Sequence, residues 1–206
     1  IYNGKTVEVT GVGYEPKGEF NAEGNSLSPK DDPDLSMLLI AGSLCNNAKL
    51  VSEKDIWRIT GDPTEGALIV AAAKAGFDQA ELEKQHPRIG EIPFTSERKL
   101  MTTIHKTPDG HQVAYIKGAP EIVLERCTHI FGNGKEKKLS EAKRREIFGI
   151  NEKFASDALR VLGIAYKKLP SALSEFREET VENDLTFLGL QGMIDPPREE
   201  AVQANK

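Results

Sequence analysis

The chain has 206 residues, 38% of them hydrophobic, and a net charge of −5, which suits one large or two small globular domains with a substantial core. Acidic and basic residues are mixed along it, which argues against nucleic acid as a partner, because such a surface needs clustered positive charge. No stretch approaches the roughly 18 consecutive apolar residues of a membrane helix, the opening Ile1-Tyr2-Asn3-Gly4-Lys5 does not read as a signal peptide, and Cys45 and Cys127 form no disulfide framework, so a reducing cytosol is the simplest compartment.

In chain order, Val7-Glu8-Val9-Thr10 alternates as a half-buried strand does, and Gly11, Gly13, Pro16 and Gly18 mark a turn-rich return toward Phe20. Residues 21–34 read as an exposed polar loop, and Asp34 as the cap of a helix whose apolar positions are Met37, Leu38, Ile40, Ala41 and Leu44. Gly61-Asp62-Pro63-Thr64-Glu65 predicts a second helix start, with Asp62 as cap, Pro63 as first helical residue and Glu65 closing a variant capping box. A polar helix follows from about Asp78 to His86, then strands at Ile92-Pro93-Phe94 and Leu100–Ile104, then a hairpin turn at Asp109-Gly110.

Val113-Ala114-Tyr115-Ile116 reads as a buried strand that delivers Lys117 to Gly118, with Pro120 opening the next helix. A lysine there is costly to desolvate unless it meets an anion, and Gly118 leaves room for something to approach the backbone; the plainer reading is a snorkelling side chain beside a tight turn. Gly132-Asn133-Gly134 predicts another hairpin, and Ser140 caps a long helix with Ile147, Ile150, Phe154 and Ala158 on one face. Strands at 161–166 and 187–194 flank an acidic segment, 175–184. Hairpin-linked strands with helices between groups predict an α+β domain: a twisted, mainly antiparallel sheet with helices on both sides.

Two nucleotide signatures fail. Gly61 and Gly66 have P-loop spacing, but Ala67 and Leu68 stand where lysine and a hydroxyl residue are needed, and Gly11-Val12-Gly13 lacks the third glycine and the helix of a dinucleotide fold. The four histidines make no ligand pair, so no metal site is expected. The residues left suit a nucleoside triphosphate held without a P-loop: Phe94 to stack on a base, Glu65 to accept from an exocyclic amine, and Lys99, Lys117 and Arg160 to supply charge. Each has a plainer role, as core aromatic, capping glutamate or solvated cation.

The order of five blocks decides between them: Gly61-Asp62-Pro63-Thr64-Glu65-Gly66-Ala67-Leu68, Phe94-Thr95-Ser96-Glu97-Arg98-Lys99, Lys117-Gly118-Ala119-Pro120-Glu121, Leu159-Arg160-Val161-Leu162 and Asp195-Pro196-Pro197-Arg198. Together they resemble the nucleotide-binding domain of P-type cation-transporting ATPases, in the type II branch of calcium and sodium pumps. The resemblance implies that Glu65 lies near the adenine amino group, Phe94 stacks on the ring, Lys99 and Lys117 flank it, Gly118 and Ala119 form the pocket wall, Arg160 reaches the phosphates and Leu162 is its apolar neighbour. Ser96 stands where some calcium pumps carry an arginine, so a phosphate contact there is open. Residues 1–194 would be the nucleotide-binding domain, and 195–206, with Asp195, Pro196, Pro197 and Arg198, the hinge and start of the return to a phosphorylation domain.

The chain has no Asp-Lys-Thr-Gly-Thr segment, so the resemblance makes it one soluble, monomeric domain of a membrane pump, on the cytoplasmic side. It would bind ATP weakly, around millimolar or about 4 kcal/mol. Phosphorylation and actuator domains of the same polypeptide would be its partners, and magnesium would be bound mainly outside it. Two other classes stay open: a stand-alone phosphohydrolase using Asp62 and Glu65 as acid and base, and an interaction domain docking through the acidic segment 175–184.

Overall fold

The computed structural model describes residues 1–194; the expected hinge, Asp195 to Arg198, lies outside them. A small sheet comes first: β1 (Val7–Val9), β2 (Phe20–Ala22) and β3 (Asn25–Leu27), all antiparallel. The segment expected to be an exposed loop therefore contains a hairpin. Its turn is Glu23-Gly24, both at positive φ, a conformation that glycine takes freely and that makes a two-residue turn follow the strand twist.

Helix α1 (Pro33–Leu44) is capped by Asp32, whose carboxylate accepts from the backbone N–H of Asp34 and Leu35. This corrects the expectation for Asp34. Proline belongs at the first helical position, so Pro33 makes its predecessor the cap. Asp34 is instead buried, accepting from the backbone N–H groups of Asn133 and Gly134 at 2.7 and 2.8 Å and from Asn3, which ties a distant turn to the start of α1.

A two-stranded ribbon, β4 (Lys49–Glu53) and β5 (Ile56–Thr60), leads into α2 (Pro63–Lys74) and α3 (Gln79–Gln85). Seven further strands and three helices follow: β6 (Arg88–Ile92), β7 (Leu100–Lys106), β8 (Gln112–Gly118), α4 (Pro120–Glu125), β9 (Cys127–Gly132), β10 (Lys135–Lys138), α5 (Glu141–Ser156), β11 (Arg160–Leu169), α6 (Glu178–Val181) and β12 (Leu185–Met193). The seven strands form one sheet in the order β10-β9-β12-β11-β8-β7-β6, antiparallel except where β12 runs parallel to β9. Phe94 falls beyond the end of β6 rather than within a strand, and Ala158 lies past α5 with φ of 58°.

Strand alternation divides the core. On one face Val113, Tyr115, Ile164 and Tyr166 pack with Leu38, Leu44 and Leu68 of α1 and α2; on the other Ala114, Ile116, Leu100 and Ile104 pack with Val123, Leu124 and Ile147 of α4 and α5. Burying each of these larger aliphatic side chains contributes roughly 1.5–3 kcal/mol. The expected α+β sheet with helices on both sides is what the chain forms. Because β8 is covered on both faces, Lys117, in step with Val113 and Tyr115, is forced onto the α1/α2 side.

Candidate functional site

The expected residues gather at one end of the sheet, where β6, β8 and β12 end and β7 and β11 begin. Register places Gly118 opposite Leu100 on one side and opposite Gly163 on the other. The first turn of α2 lies over this end. Asp62 caps it, accepting from Thr64 and Glu65 N–H at 2.8 and 3.1 Å, so the predicted helix start is correct. The capping box is not closed, because the Glu65 carboxylate is committed elsewhere.

Glu65 Oε1 accepts from the Lys117 ammonium, and Oε2 accepts from the backbone N–H of Asn47 at 3.2 Å. Lys117 is only 6% exposed, so it does not snorkel: it is a buried cation with a partly buried countercharge. The α2 turn is held in place by Asn46, whose amide donates to the Glu65 carbonyl at 2.8 Å, and Asn47 is held in turn by Arg88 at 2.6 Å. Nothing local in the sequence marks Asn46 and Asn47 as partners of Glu65.

Arg160, at the start of β11, donates to Thr64 Oγ1 at 2.6 Å, which brings it to the residue preceding Glu65. Leu162 is half-buried against the α1/α2 core. Gly118 has a tighter reason than room for a ligand. A Cβ there would stand 2.1 Å from the Lys99 carbonyl oxygen, and that oxygen accepts from Ala119 N–H at 3.2 Å. The glycine therefore lets β7 and β8 close together and sets Ala119 at the start of α4.

Phe94, Ser96 and Lys99 lie on the loop joining β6 to β7, all exposed. Phe94 is 57% exposed, which rules out the core-aromatic alternative and leaves a ring available to a planar partner. Lys99 takes φ of 53°, a left-handed conformation uncommon outside glycine and asparagine. Loop position is controlled by Arg98, a residue that sequence reading gave no role.

The other two function classes lose their carboxylates. Asp62 is engaged as a helix cap and Glu65 as the partner of Lys117, so neither is placed as a free acid or base. Within the acidic segment, Glu182 is fully buried against Arg98, so its charge is internal and not part of a docking face. Among the described residues no group of three or more His, Cys, Asp or Glu could hold a metal ion, no helix is long and apolar enough to cross a membrane, and Cys45 and Cys127 are buried free thiols. Burial pushes both thiols' pKa up, which makes them unreactive. A cleft of about 480 Å³ beside Phe77 and Leu82 contains none of the expected site residues.

Comparison with known proteins adds an independent finding. The chain is 39% identical over 203 residues to a calcium-transporting ATPase of Bacillus subtilis and 43% identical over 206 residues to the cation-transporting ATPase pma1 of Synechocystis, each alignment covering 98% of this chain. It is 40% identical to calcium-transporting ATPase 1 of Lactococcus lactis over 84% of its length. The matched region makes up 23%, 22% and 19% of those three proteins, so the chain spans under a quarter of the relatives it matches. The family model for P-type ATPase, cytoplasmic domain N, matches residues 34–200, and the chain belongs to that family.

Proposed function

We propose that this chain is the ATP-holding domain of a type II cation-transporting pump, on the calcium side of that branch. The observation that carries the reading is an exposed aromatic, Phe94, on the loop entering β7, at the same sheet end as the partly buried Glu65–Lys117 pair and Arg160. Adenine stacks on Phe94, worth on the order of 1–3 kcal/mol. Its amino group donates to Glu65, while Lys99 and Lys117 flank the ring and the Gly118-Ala119 backbone forms the wall. Arg160 faces the phosphates, and Ser96 offers a hydroxyl where a charged contact would be stronger. The names of two relatives, which are calcium-transporting ATPases, favour calcium over sodium as the cargo of the parent pump.

In that pump the domain presents the γ-phosphate to an aspartate of a separate phosphorylation domain, with an actuator domain in the same polypeptide; the aspartate attacks in line, and the residues described here orient the nucleotide. The chain binds ATP without hydrolysing it, because the aspartate that would be phosphorylated, in an Asp-Lys-Thr-Gly-Thr segment, is not in this sequence. Magnesium would neutralise phosphate charge in such chemistry and be held mainly outside this chain.

Titration of labelled protein with ATP, followed by NMR, tests the reading. Shifts are expected around Phe94, Lys117 and Gly118 with a dissociation constant near millimolar. The Phe94→Ala variant should keep its melting temperature, since the ring is exposed, and lose roughly ten-fold in affinity. Unchanged spectra at tens of millimolar ATP would end the proposal.

A further inference from the structure

The loop that carries Phe94 has almost no apolar anchor. Of residues 93–99, only Arg98 is buried, and it is a charged residue between Glu97 and Lys99. Its guanidinium spans the loop: Nη2 donates to the carbonyls of Pro93 at 2.6 Å and Leu100 at 3.0 Å, at the loop's two ends, and Nη1 donates to Thr95 Oγ1 at 3.2 Å. Thr95 Oγ1 also accepts the Arg98 backbone N–H at 3.2 Å. Behind it, Nε stands 2.8 Å from Glu182 Oε2 and Nη1 stands 3.2 Å from Glu178 Oε1. Glu182 is fully buried, and its other oxygen accepts from the Thr102 hydroxyl at 2.6 Å.

Only a planar fork of N–H donors reaches two carbonyls, a hydroxyl and the Glu178 carboxylate at once while its charge lies against Glu182 as an ion pair; an ammonium presents three donors from a single point. Buried ion pairs are costly to desolvate and are weak evidence of stabilisation in themselves. What this one supplies is a fixed loop geometry, with Glu182 orienting the guanidinium from the segment between α6 and β12.

We propose that Arg98, held by Glu182, is the positioning residue of the nucleotide site: it sets the loop that presents Phe94 and Lys99 and does not itself touch nucleotide. This rests on the ATP reading above. The test compares Arg98→Lys and Thr95→Val with the unchanged chain, by ATP titration and by ¹⁵N relaxation of amides 94–99. Both variants are expected to stay folded, to gain loop motion on the ps–ns timescale and to leave the amides of Glu65 and Lys117 unaltered. Affinity should fall roughly ten-fold in Arg98→Lys and a few-fold in Thr95→Val.

When Arg98→Lys is combined with Phe94→Ala the two losses should fall well short of adding, because both act through the same ring. A general loss of stability would not give that pattern. A loop that stays rigid with unchanged affinity, or losses that add in full, overturns the proposal. If Arg98→Lys does not fold, Thr95→Val, which leaves the Glu182 pair intact, decides on the same two readouts. An unchanged chain that fails to bind ATP overturns the pocket reading and this inference with it. Binding that Phe94→Ala weakens and neither loop variant affects overturns this inference alone.

Discussion

Glu65 and Lys117 form a pair whose two members are unequally dependent on each other, and the inequality is measurable. The Lys117 side chain is 8% exposed and that of Glu65 17%. Replacing Lys117 with methionine fills the same space and leaves a carboxylate with several supports: the Asn47 N–H at 3.2 Å, the positive end of α2 and partial access to water. Replacing Glu65 with glutamine leaves an ammonium in a nearly closed site, since the Glu65 carboxylate accepts its hydrogen bond. The amide has one oxygen for two donors, Lys117 and Asn47, and its own N–H₂ must face one of them. Breaking a buried pair by removing one charge costs about 3–5 kcal/mol when the other charge is fully enclosed. Near the lower end of that range, Glu65→Gln should cost about 3 kcal/mol and Lys117→Met about 1 kcal/mol. Urea unfolding followed by circular dichroism reads the difference: with a slope of about 2–3 kcal/mol per molar, the midpoint should drop by roughly 1 M for Glu65→Gln and by less than half of that for Lys117→Met. A Lys117→Met variant as unstable as Glu65→Gln, at unchanged slope, would refute the argument.

Two further outcomes follow from the packing. Gly118→Ala puts a Cβ 2.1 Å from the Lys99 carbonyl and 2.7 Å from Leu100 Cδ2, so β7 and β8 must part; the expected cost is about 2–3 kcal/mol, with the Lys99 and Ala119 amides shifting most, and a melting temperature like that of the unchanged chain would contradict it. His105 is held neutral: its Nδ1 donates to the His86 carbonyl at 2.8 Å, leaving Nε2 to accept from the Thr103 hydroxyl at 2.9 Å, and burial lowers its pKa from 6.5 to about 4. Between those values the unfolded chain binds the extra proton, so stability is full above about pH 6.5 and falls by up to about 3 kcal/mol as pH drops toward 4. His105→Gln should flatten that part of the pH profile, and an unchanged acid slope in the variant would count against it.

Where structure is set by neighbours in sequence, it is legible in the sequence. The Asp62 and Ser140 caps, the Asp109-Gly110 turn and Pro120 at the start of α4 are local devices, and all stand where expected. The Asp34 error was also local: Pro33 points to Asp32 as the cap. The β4–β5 ribbon turns at Lys54-Asp55, both at positive φ, without the glycine or asparagine that usually advertises such a turn. Arg98 and Glu182 escaped for a different reason. They lie 84 positions apart, each inside a charged stretch that reads as surface, and only the sheet brings them together. Gly118 was recognised as a close approach, but what approaches is the neighbouring strand.

If the ATP reading proposed above holds, the geometry makes for loose binding. Both Glu65 oxygens are engaged, yet a carboxylate offers about four lone-pair sites, so an incoming amine can be accepted without breaking the pair with Lys117. That bond, to a charged acceptor, is worth about 2 kcal/mol net, and stacking on Phe94 about 2 kcal/mol more. Their sum, about 4 kcal/mol, corresponds to millimolar binding before the cost of ordering the ligand. Lys117 adds little, because its charge is already neutralised by Glu65 in the empty site. A pocket whose strongest cation is internally paired grips the base more than the phosphates. That is the arrangement required if the phosphate end is to be handed to another domain rather than retained by this one.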